Sequence, residues 1–340
     1  MAETRGRILV SSASRDRLAF PDPGSFELTL DSDANRDFLS YVIHIKLASA
    51  RIPSTSAKMD DGLSPPYAMV VLENIVPVPP ESGFTMPGRQ TSLPAGVIGI
   101  VQMLSKVGNG HAYCQHSDAG VSCDVPWLDR LRVRLMFAPS SSPGSSPQPF
   151  VFDDPDTQEW EMSLEVSSAP SHIPSCCNCL LDSRFASSYD ATTGDYTFDQ
   201  LSSKPLESIR FVEFASLGLV VPGGGAGDPL AMDLGLVLCE GVHRIFPADA
   251  GWMTPMPVGT EDPSNGIVLD SKAVVYGPGA ILWFALDPGR HRRGQVVTSQ
   301  SSRWTSLSFR LADVAQSQSL VLRQDTELTH WFATVMLWQM

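Results

Sequence analysis

The stretch Tyr41–Pro53, YVIHIKLASARIP, returns in altered form as Ser208–Pro222, SIRFVEFASLGLVVP. A shift of about 167 positions lays Ala48-Ser49 on Ala215-Ser216. The same shift, without a gap, lays Met69-Val70-Val71-Leu72-Glu73 on Leu236-Val237-Leu238-Cys239-Glu240. Two matches in phase across an unrelated loop are harder to obtain by chance than one. Small gaps extend the correspondence in both directions. Upstream, Ile8-Leu9-Val10 and Ser14-Arg15 answer to Cys179-Leu180-Leu181 and Ser183-Arg184, and Gly24-Ser25-Phe26-Glu27-Leu28 answers to Gly194-Asp195-Tyr196-Thr197-Phe198. Downstream, Trp127 and Leu131–Leu135 match Trp304 and Leu307–Leu311, and Asp156-Thr157 with Trp160 matches Asp325-Thr326 with Trp331. Solenoid units run about 20–50 residues, so a repeat of this length is a whole domain. The expected organisation is a first domain over 1–168, a Ser/Pro-rich linker over 169–175 and a second domain over 176–340.

Within each copy the hydrophobic pattern has the period of a strand. Phe26, Leu28 and Leu30 alternate with Glu27 and Thr29; Ile43, Ile45 and Leu47 with His44 and Lys46; Leu131, Val133 and Leu135 with Arg132 and Arg134. Such alternation turns one face inward and one to water. Met69–Leu72, Val97–Leu104 and Ile281–Leu286 are apolar on both faces, as in central strands. Gly and Pro, 26 and 27 residues, supply close to a sixth of the chain and favour short strands joined by loops. Pro139–Pro149, PSSSPGSSPQP, is one such loop of low complexity. The predicted fold class is all-β: two tandem jelly-roll-like β-sandwich domains, a double jelly roll. The final strand, Thr329–Trp338, is apolar on both faces and has to be covered by its own sheet or by another subunit.

Composition narrows the function. Charged residues are 18% of the chain against roughly 25% for an ordinary soluble domain, which fits a surface largely covered by partners. A net charge of −13 without Lys/Arg clusters argues against direct binding of nucleic acid or of an anionic membrane. The one short basic cluster, Arg290-His291-Arg292-Arg293, reads as a solvated turn, with contact to an acidic neighbour as the alternative. No apolar run reaches the roughly 18 residues of a transmembrane helix. The polar start Met1–Arg7 lacks the apolar core of a signal peptide, so synthesis in the cytosol is expected.

Candidate chemistry is sparse. His111, Cys114, His116 and Cys123 cluster in sequence, and Cys176, Cys177 and Cys179 sit beside the linker. Three readings stay open for these groups: free thiols, the default for a chain of this size inside a cell; a Cys114–Cys123 disulfide; and zinc, for which no paired knuckle spacing is present. Gly223–Gly227 follows Val221-Pro222 and no helix pattern comes after it, so it reads as a turn and not a phosphate cradle. Asp60-Asp61 and Asp153-Asp154 read as solvated turns, with calcium contact as the alternative. No nucleophile elbow, P-loop or zincin motif occurs. The expectation is no catalytic residue, no metal ligand, no cofactor and no enzyme activity.

One stretch carries a family likeness. Ile8-Leu9-Val10-Ser11-Ser12-Ala13-Ser14-Arg15-Asp16-Arg17, then Phe20-Pro21-Asp22-Pro23-Gly24-Ser25-Phe26-Glu27-Leu28, resembles the opening of jelly-roll minor capsid and penton-type proteins of large nucleocytoplasmic DNA viruses. Those chains pass from a strand through a "dSRDR" segment and a "yPnPsdF" turn into another strand, then an "I-x-L-x-S-x-x-I-P" strand. The last resembles Ile45–Pro53, shifted by one residue in its small positions. The second copy keeps Leu180-Leu181-Asp182-Ser183-Arg184 but has Phe185-Ala186 in place of the Asp-Arg pair. The resemblance implies a virion structural protein. It would be a minor capsid component touching capsomers, the major capsid protein, other minor capsid proteins and neighbouring copies of itself in an icosahedral shell. The alternative is a β-sandwich module for glycan or host attachment, in which an exposed Trp127, Trp252, Trp283 or Trp304 stacks on sugar.

Overall fold

The computed structural model describes residues 4–30, 39–59, 62, 65–78, 80–88, 93–103, 111–114, 120–140, 145–168, 176–199, 209–220, 233–238, 242–244, 271–274, 281–286, 296–298, 306–313, 318–319 and 330–339. The expected linker, 169–175, lies outside them. The chain divides into two compact units: residues 1–84 with 92–173, and residues 85–91 with 174–340.

Up to Ser168 the strands are β1 (Thr4–Ser11), β2 (Ser25–Thr29), β3 (Ser40–Pro53), β4 (Tyr67–Leu72), β5 (Phe84–Thr85), β6 (Val97–Gln102), β7 (His111–Cys114), β8 (Gly120–Trp127), β9 (Arg130–Phe137), β10 (Gln148–Pro149) and β11 (Glu161–Ser168); all but β5, whose Thr85 belongs to unit 2, lie in unit 1. One sheet runs β1-β11-β3, with β7 and β8 both paired to β3. The other runs β10-β9-β4-β6, with β2 beside β9. Every pairing is antiparallel, and strands early in the chain cross from one sheet to the other. The first strand lies against the last. This is jelly-roll connectivity.

The residue pattern accounts for the strand faces. On β9 the side chains of Leu131, Val133 and Leu135 are buried. Their neighbours face outward, where Arg132 pairs with Glu27 at 2.7 Å and Arg134 with Glu73 at 3.0 Å. β4 and β6 are buried along their whole length, as their two-faced apolar pattern requires. Gly99 of β6 leaves room for Leu47 of the opposing sheet: a Cβ there would stand 2.6 Å from the Leu47 side chain. The ladder of β3 on β11 skips a residue twice, at Ile43 and at Ala48. Each skip is a β-bulge, which bends the strand and resets which side chains face inward.

In unit 2 the strands are β12 (Cys176–Asp182), β13 (Ser188–Asp190), β14 (Asp195–Asp199), β15 (Ile209–Val220), β16 (Asp233–Leu238), β17 (Val242–Arg244), β18 (Ser271–Val274), β19 (Ile281–Leu286), β20 (Val296–Thr298), β21 (Ser306–Asp313), β22 (Gln318–Ser319) and β23 (His330–Gln339). The main sheet runs β13-β14-β21-β16-β18-β19-β15-β23-β12-β5. It contains two blocks with the pairing order of unit 1: β12-β23-β15 repeats β1-β11-β3, and β14-β21-β16 repeats β2-β9-β4. Here β18 pairs with β19 and joins the blocks into one sheet. β23, the strand that required cover, is paired on both edges, by β12 and β15. The ladder of β15 on β23 skips at Arg210 and Ala215, each 167 positions after its counterpart in β3.

Truncating Ile45, fully buried in β3, removes core contacts that cannot be rebuilt. Ile45→Ala is expected to lower stability by about 2–5 kcal/mol. Arg132→Ala, on the exposed face of β9, is expected to cost under about 1 kcal/mol. Urea unfolding of the two variants against the parent chain checks the contrast; equal losses would place Ile45 outside the core.

Candidate functional site

The motif stretch of unit 1 forms the corner between β1 and β2. Ser11 caps a 3₁₀ turn, Ser12–Ser14, by accepting the Ala13 N–H. Ser12 Oγ accepts the Trp160 N–H at 2.9 Å and donates to the Glu159 carboxylate. Arg15, only 1% exposed in its side chain, enters the corner and is fully used. Its guanidinium donates to both Glu159 oxygens at 2.8 and 2.7 Å and to the carbonyls of Ser12, Phe20 and Pro21 at 2.8, 3.0 and 3.2 Å. Arg17 reaches the same carboxylate at 2.7 Å. Asp16 accepts the N–H groups of Leu18 and Ala19, and Asp22 that of Gly24, so both act as turn formers. The Trp160 indole donates to the Pro23 carbonyl at 2.7 Å and meets Phe26 edge-to-face at 5.9 Å.

Burial alone would raise the Glu159 carboxyl, but the Arg15 and Ser12 hydrogen bonds and the charges of Arg15 and Arg17 outweigh it and hold it below the ordinary range. A buried guanidinium paired with a carboxylate is worth little net, yet removing one partner strands the other. The arrangement has no free nucleophile or base. It locks a corner.

Unit 2 builds the same corner with different chemistry. Asp182 caps the 3₁₀ turn Ser183–Phe185, and Trp331 N–H donates to Ser183 Oγ at 2.9 Å. Serine and tryptophan are separated by 148 residues in both corners. Trp331 meets Tyr196 edge-to-face at 5.4 Å, as Trp160 meets Phe26. The guanidinium of Arg184 pairs with Asp182 two residues away, at 2.6 Å, where Arg15 reaches across the fold to Glu159. Asp182 is wholly buried; burial raises its carboxyl, while the Arg184 charge and hydrogen bonds and the His330 charge hold it low.

The other sequence candidates do not converge. Cys123 is a buried free thiol pointing at the Val42 carbonyl, and burial together with the Asp124 charge pushes it up to about 12. Cys114 lies opposite Ala50, whereas the residues around Cys123 lie opposite Val42 and His44. At about 3.3 Å per residue along β3 that is roughly 20 Å, too far for a Cys114–Cys123 disulfide. Cys177 and Cys179 are buried on one face of β12, with sulfurs 4.0 Å apart. Among the described residues no three His, Cys, Asp or Glu side chains gather as a metal site would need. Asp153 binds the Ser56 N–H and hydroxyl, and Asp154 caps Asp156 and Thr157; both tie loops. Trp127 is 41% exposed, and only the backbone of Trp283, in β19, is described. His116, Asp60-Asp61, Gly223–Gly227, Trp252, Arg290–Arg293 and Trp304 lie outside the described residues, as do the side chains of His111, Cys114 and Cys176. No described helix is long and apolar enough to cross a membrane.

One feature had no signal in the sequence reading. Among the described residues an open groove of about 530 Å³ lies between β1 and β2, lined by Arg7, Leu9, Ser14, Leu28, Thr29 and Leu30 among others. Leu9 is 82% exposed there.

No family model matches the sequence, and no curated protein matches it. Among solved structures, the Faustovirus major capsid protein aligns over 100% of this chain and 91% of its own, at 8% identity and a TM-score of 0.26. The infectious bursal disease virus VP2 subviral particle aligns over 98% of this chain and 71% of its own, at 10% identity and a TM-score of 0.19.

Arg15→Ala is expected to cost about 1–3 kcal/mol, since three carbonyls and the Glu159 carboxylate lose a donor although Glu159 keeps Arg17 and Ser12, and Arg15→Lys to restore only part, since an ammonium cannot reproduce the fork. The acid limb follows from the sign of the Glu159 shift. Its folded pKa lies below its unfolded one, so its contribution is complete above the ordinary carboxylate range and is lost as pH falls through the folded value. Urea midpoints measured from neutral pH to well below about pH 4 are expected to fall less steeply in Glu159→Gln than in the parent; parallel curves would remove Glu159 from the account.

Proposed function

We propose that this chain is a virion structural protein, a minor capsid component made by tandem duplication of one jelly-roll unit. The observation that carries the reading is the β1–β2 corner. The residues that resemble the minor capsid and penton-type family are those whose side chains lock it, and a second corner with the same serine–tryptophan bond follows in the same chain. The duplication is supported by the pairing order shared by the two units, by bulges 167 positions apart and by the equal serine–tryptophan separations. Domain limits of 1–168 and 176–340, with 169–175 as linker, accompany this reading.

The mechanism is assembly. Each copy buries edge strands and loops against the major capsid protein, other minor capsid proteins and further copies of itself, and symmetry multiplies weak contacts into a stable shell. The acidic surface suits contacts between proteins and not contact with the genome. On this reading the chain is made in the host cytoplasm and resides in the virion, without catalytic activity.

A second reading, a glycan or host-attachment module, draws on two exposed aromatics that begin and end paired strands. Trp127 is 41% exposed, opposite Ser40; Tyr41, next to Ser40, is 71% exposed and has φ of 52°. Aromatic faces of this kind stack on sugars.

Quantitative mass spectrometry of purified particles from the source material tests the proposal. Stoichiometric presence, at hundreds of copies beside the major shell protein, is the expected result. A protein found soluble in infected cells and absent from particles would overturn it, and sugar-dependent protection of Trp127 fluorescence would then favour attachment.

A further inference from the structure

Unit 2 carries a strap that lies over a pair of thiols. Residues 85–88 stand in the sequence between β4 and β6, yet they belong to unit 2. Thr85, at the end of β5, lies beside β12, and its Oγ1 donates to the Asn178 carbonyl at 3.4 Å. The Gly88 N–H donates to the Asp199 carbonyl at 2.8 Å. Gly88 has φ of +109°, and a Cβ on it would run into the Phe185 carbonyl oxygen, so only glycine fits this approach. The strap thus follows the edge of β12, passes the 3₁₀ turn and ends at β14. Two hydrogen bonds and one close approach are a thin attachment, of the kind that opens locally while the rest stays folded.

Cys177 and Cys179 are two residues apart on β12, so both side chains leave the same face. Their ladder partners on β23 are Leu337 and Val335, both fully buried, and the cysteines themselves are 2% and 0% exposed. The sulfurs stand 4.0 Å apart. Thr85 Oγ1 touches both, at 4.0 Å from Cys177 Sγ and 3.6 Å from Cys179 Sγ. A hydroxyl has one proton to give and two lone pairs to receive with. With its proton on the Asn178 carbonyl, each sulfur contact needs the thiol to donate. Thr85 is therefore held by the reduced form of both cysteines.

We propose that Cys177 and Cys179 are a reversible dithiol–disulfide couple that sets how firmly the strap is held. The chemistry is exchange with a low-molecular-weight disulfide. One cysteine thiolate attacks a sulfur of that disulfide and expels a thiol; the other attacks the mixed disulfide so formed and expels the second thiol. The protein gives up two electrons and two protons, and the small disulfide becomes two thiols. Two residues of strand span about 6.6–6.8 Å, which is the upper limit of about 6.8 Å for the Cα separation of a disulfide. A bond closed against that limit is easily reduced, as a switch requires and a permanent staple does not. Closure removes both S–H donors, so Thr85 loses its hold on the sulfurs. The strap also gates the reaction, since buried thiols are inert and exchange has to wait for it to open. A reducing cytosol keeps the pair as thiols and the edge of β12 covered; an oxidising medium loosens that cover. The proposal is independent of the capsid role.

The test uses the full-length chain, incubated with glutathione disulfide and read by differential alkylation and peptide mass spectrometry. A Cys177–Cys179 disulfide is expected, formed equally in Cys176→Ser and reversed by dithiothreitol. On oxidation, hydrogen exchange at Thr85, Met86 and Gly88 is expected to quicken about tenfold, with β1 and β11 unchanged and no response in Cys177→Ser. A second measurement needs no oxidant. Gly88→Ala, which forces the strap off the Phe185 carbonyl, is expected to raise the alkylation rate of Cys177 and Cys179 about tenfold and to leave that of Cys123 as it was. Should Cys123 quicken too, the variant has lost its fold, and the exchange measurement on the unsubstituted chain decides. Thiols that both remain alkylatable after the oxidant, a bond formed from Cys176 instead, or a Cys177–Cys179 disulfide that leaves exchange at Thr85–Gly88 unaltered would each overturn the proposal.

Discussion

Each unit depends on its first strand finding its last. β1 zips along β11 over its whole length, and β12 along β23, and the serine–tryptophan bond that fixes each closure joins residues 148 positions apart. Loop closure over that distance costs entropy before any contact rewards it, so such a topology folds slowly and needs strong local devices where the ends meet. The corner supplies them: a capped 3₁₀ turn, prolines that stiffen the exit, a tryptophan seated on an aromatic of the next strand, and a buried guanidinium. In unit 1 the corner is built where the chain crosses from one sheet to the other.

The two bulges of β3 are a second constraint of the same kind. A strand of this length cannot keep one face inward against a twisted partner without a change of phase. The extra residues fall at Ile43 and Ala48, and at Arg210 and Ala215. Ala48-Ser49 and Ala215-Ser216 were the first matches visible in the sequence, and small residues at a bulge let the backbone kink without displacing the core. The ion pairs of Glu27, Glu73 and Glu165 lie outside that core, and each adds little to stability.

The all-β class, the half-buried strands around Phe26, Ile45 and Leu131, and the fully buried β4 and β6 were legible because period-two alternation and its absence are both direct records of burial. Other features were not. The ungapped match of Met69–Glu73 to Leu236–Glu240 puts Leu72 on Cys239, whereas the ladders put Leu72 opposite Val133 and Leu238 opposite Phe309, a slip of one residue. A strand apolar on both faces has no phase to read, so such a slip leaves no trace in sequence. Arg15 has its partner, Glu159, 144 residues away, and no local pattern announces it. Pairing of β18 with β19, which merges the blocks of unit 2, was equally silent.

The edges show why the two units are not interchangeable. A jelly roll leaves its first and second strands as neighbours at an open side, and the corner between them cannot close that side because it must stay sharp. Unit 2 closes it with residues 85–88, at the cost of a position where only glycine fits. Among the described residues unit 1 presents Leu9 to water at the same place. An exposed leucine beside an unpaired edge is a liability in a free monomer, and natural sheets blunt such edges with lysine, proline or a bulge. β1 has two arginines, Arg5 and Arg7, near its start but nothing of that kind beyond Arg7.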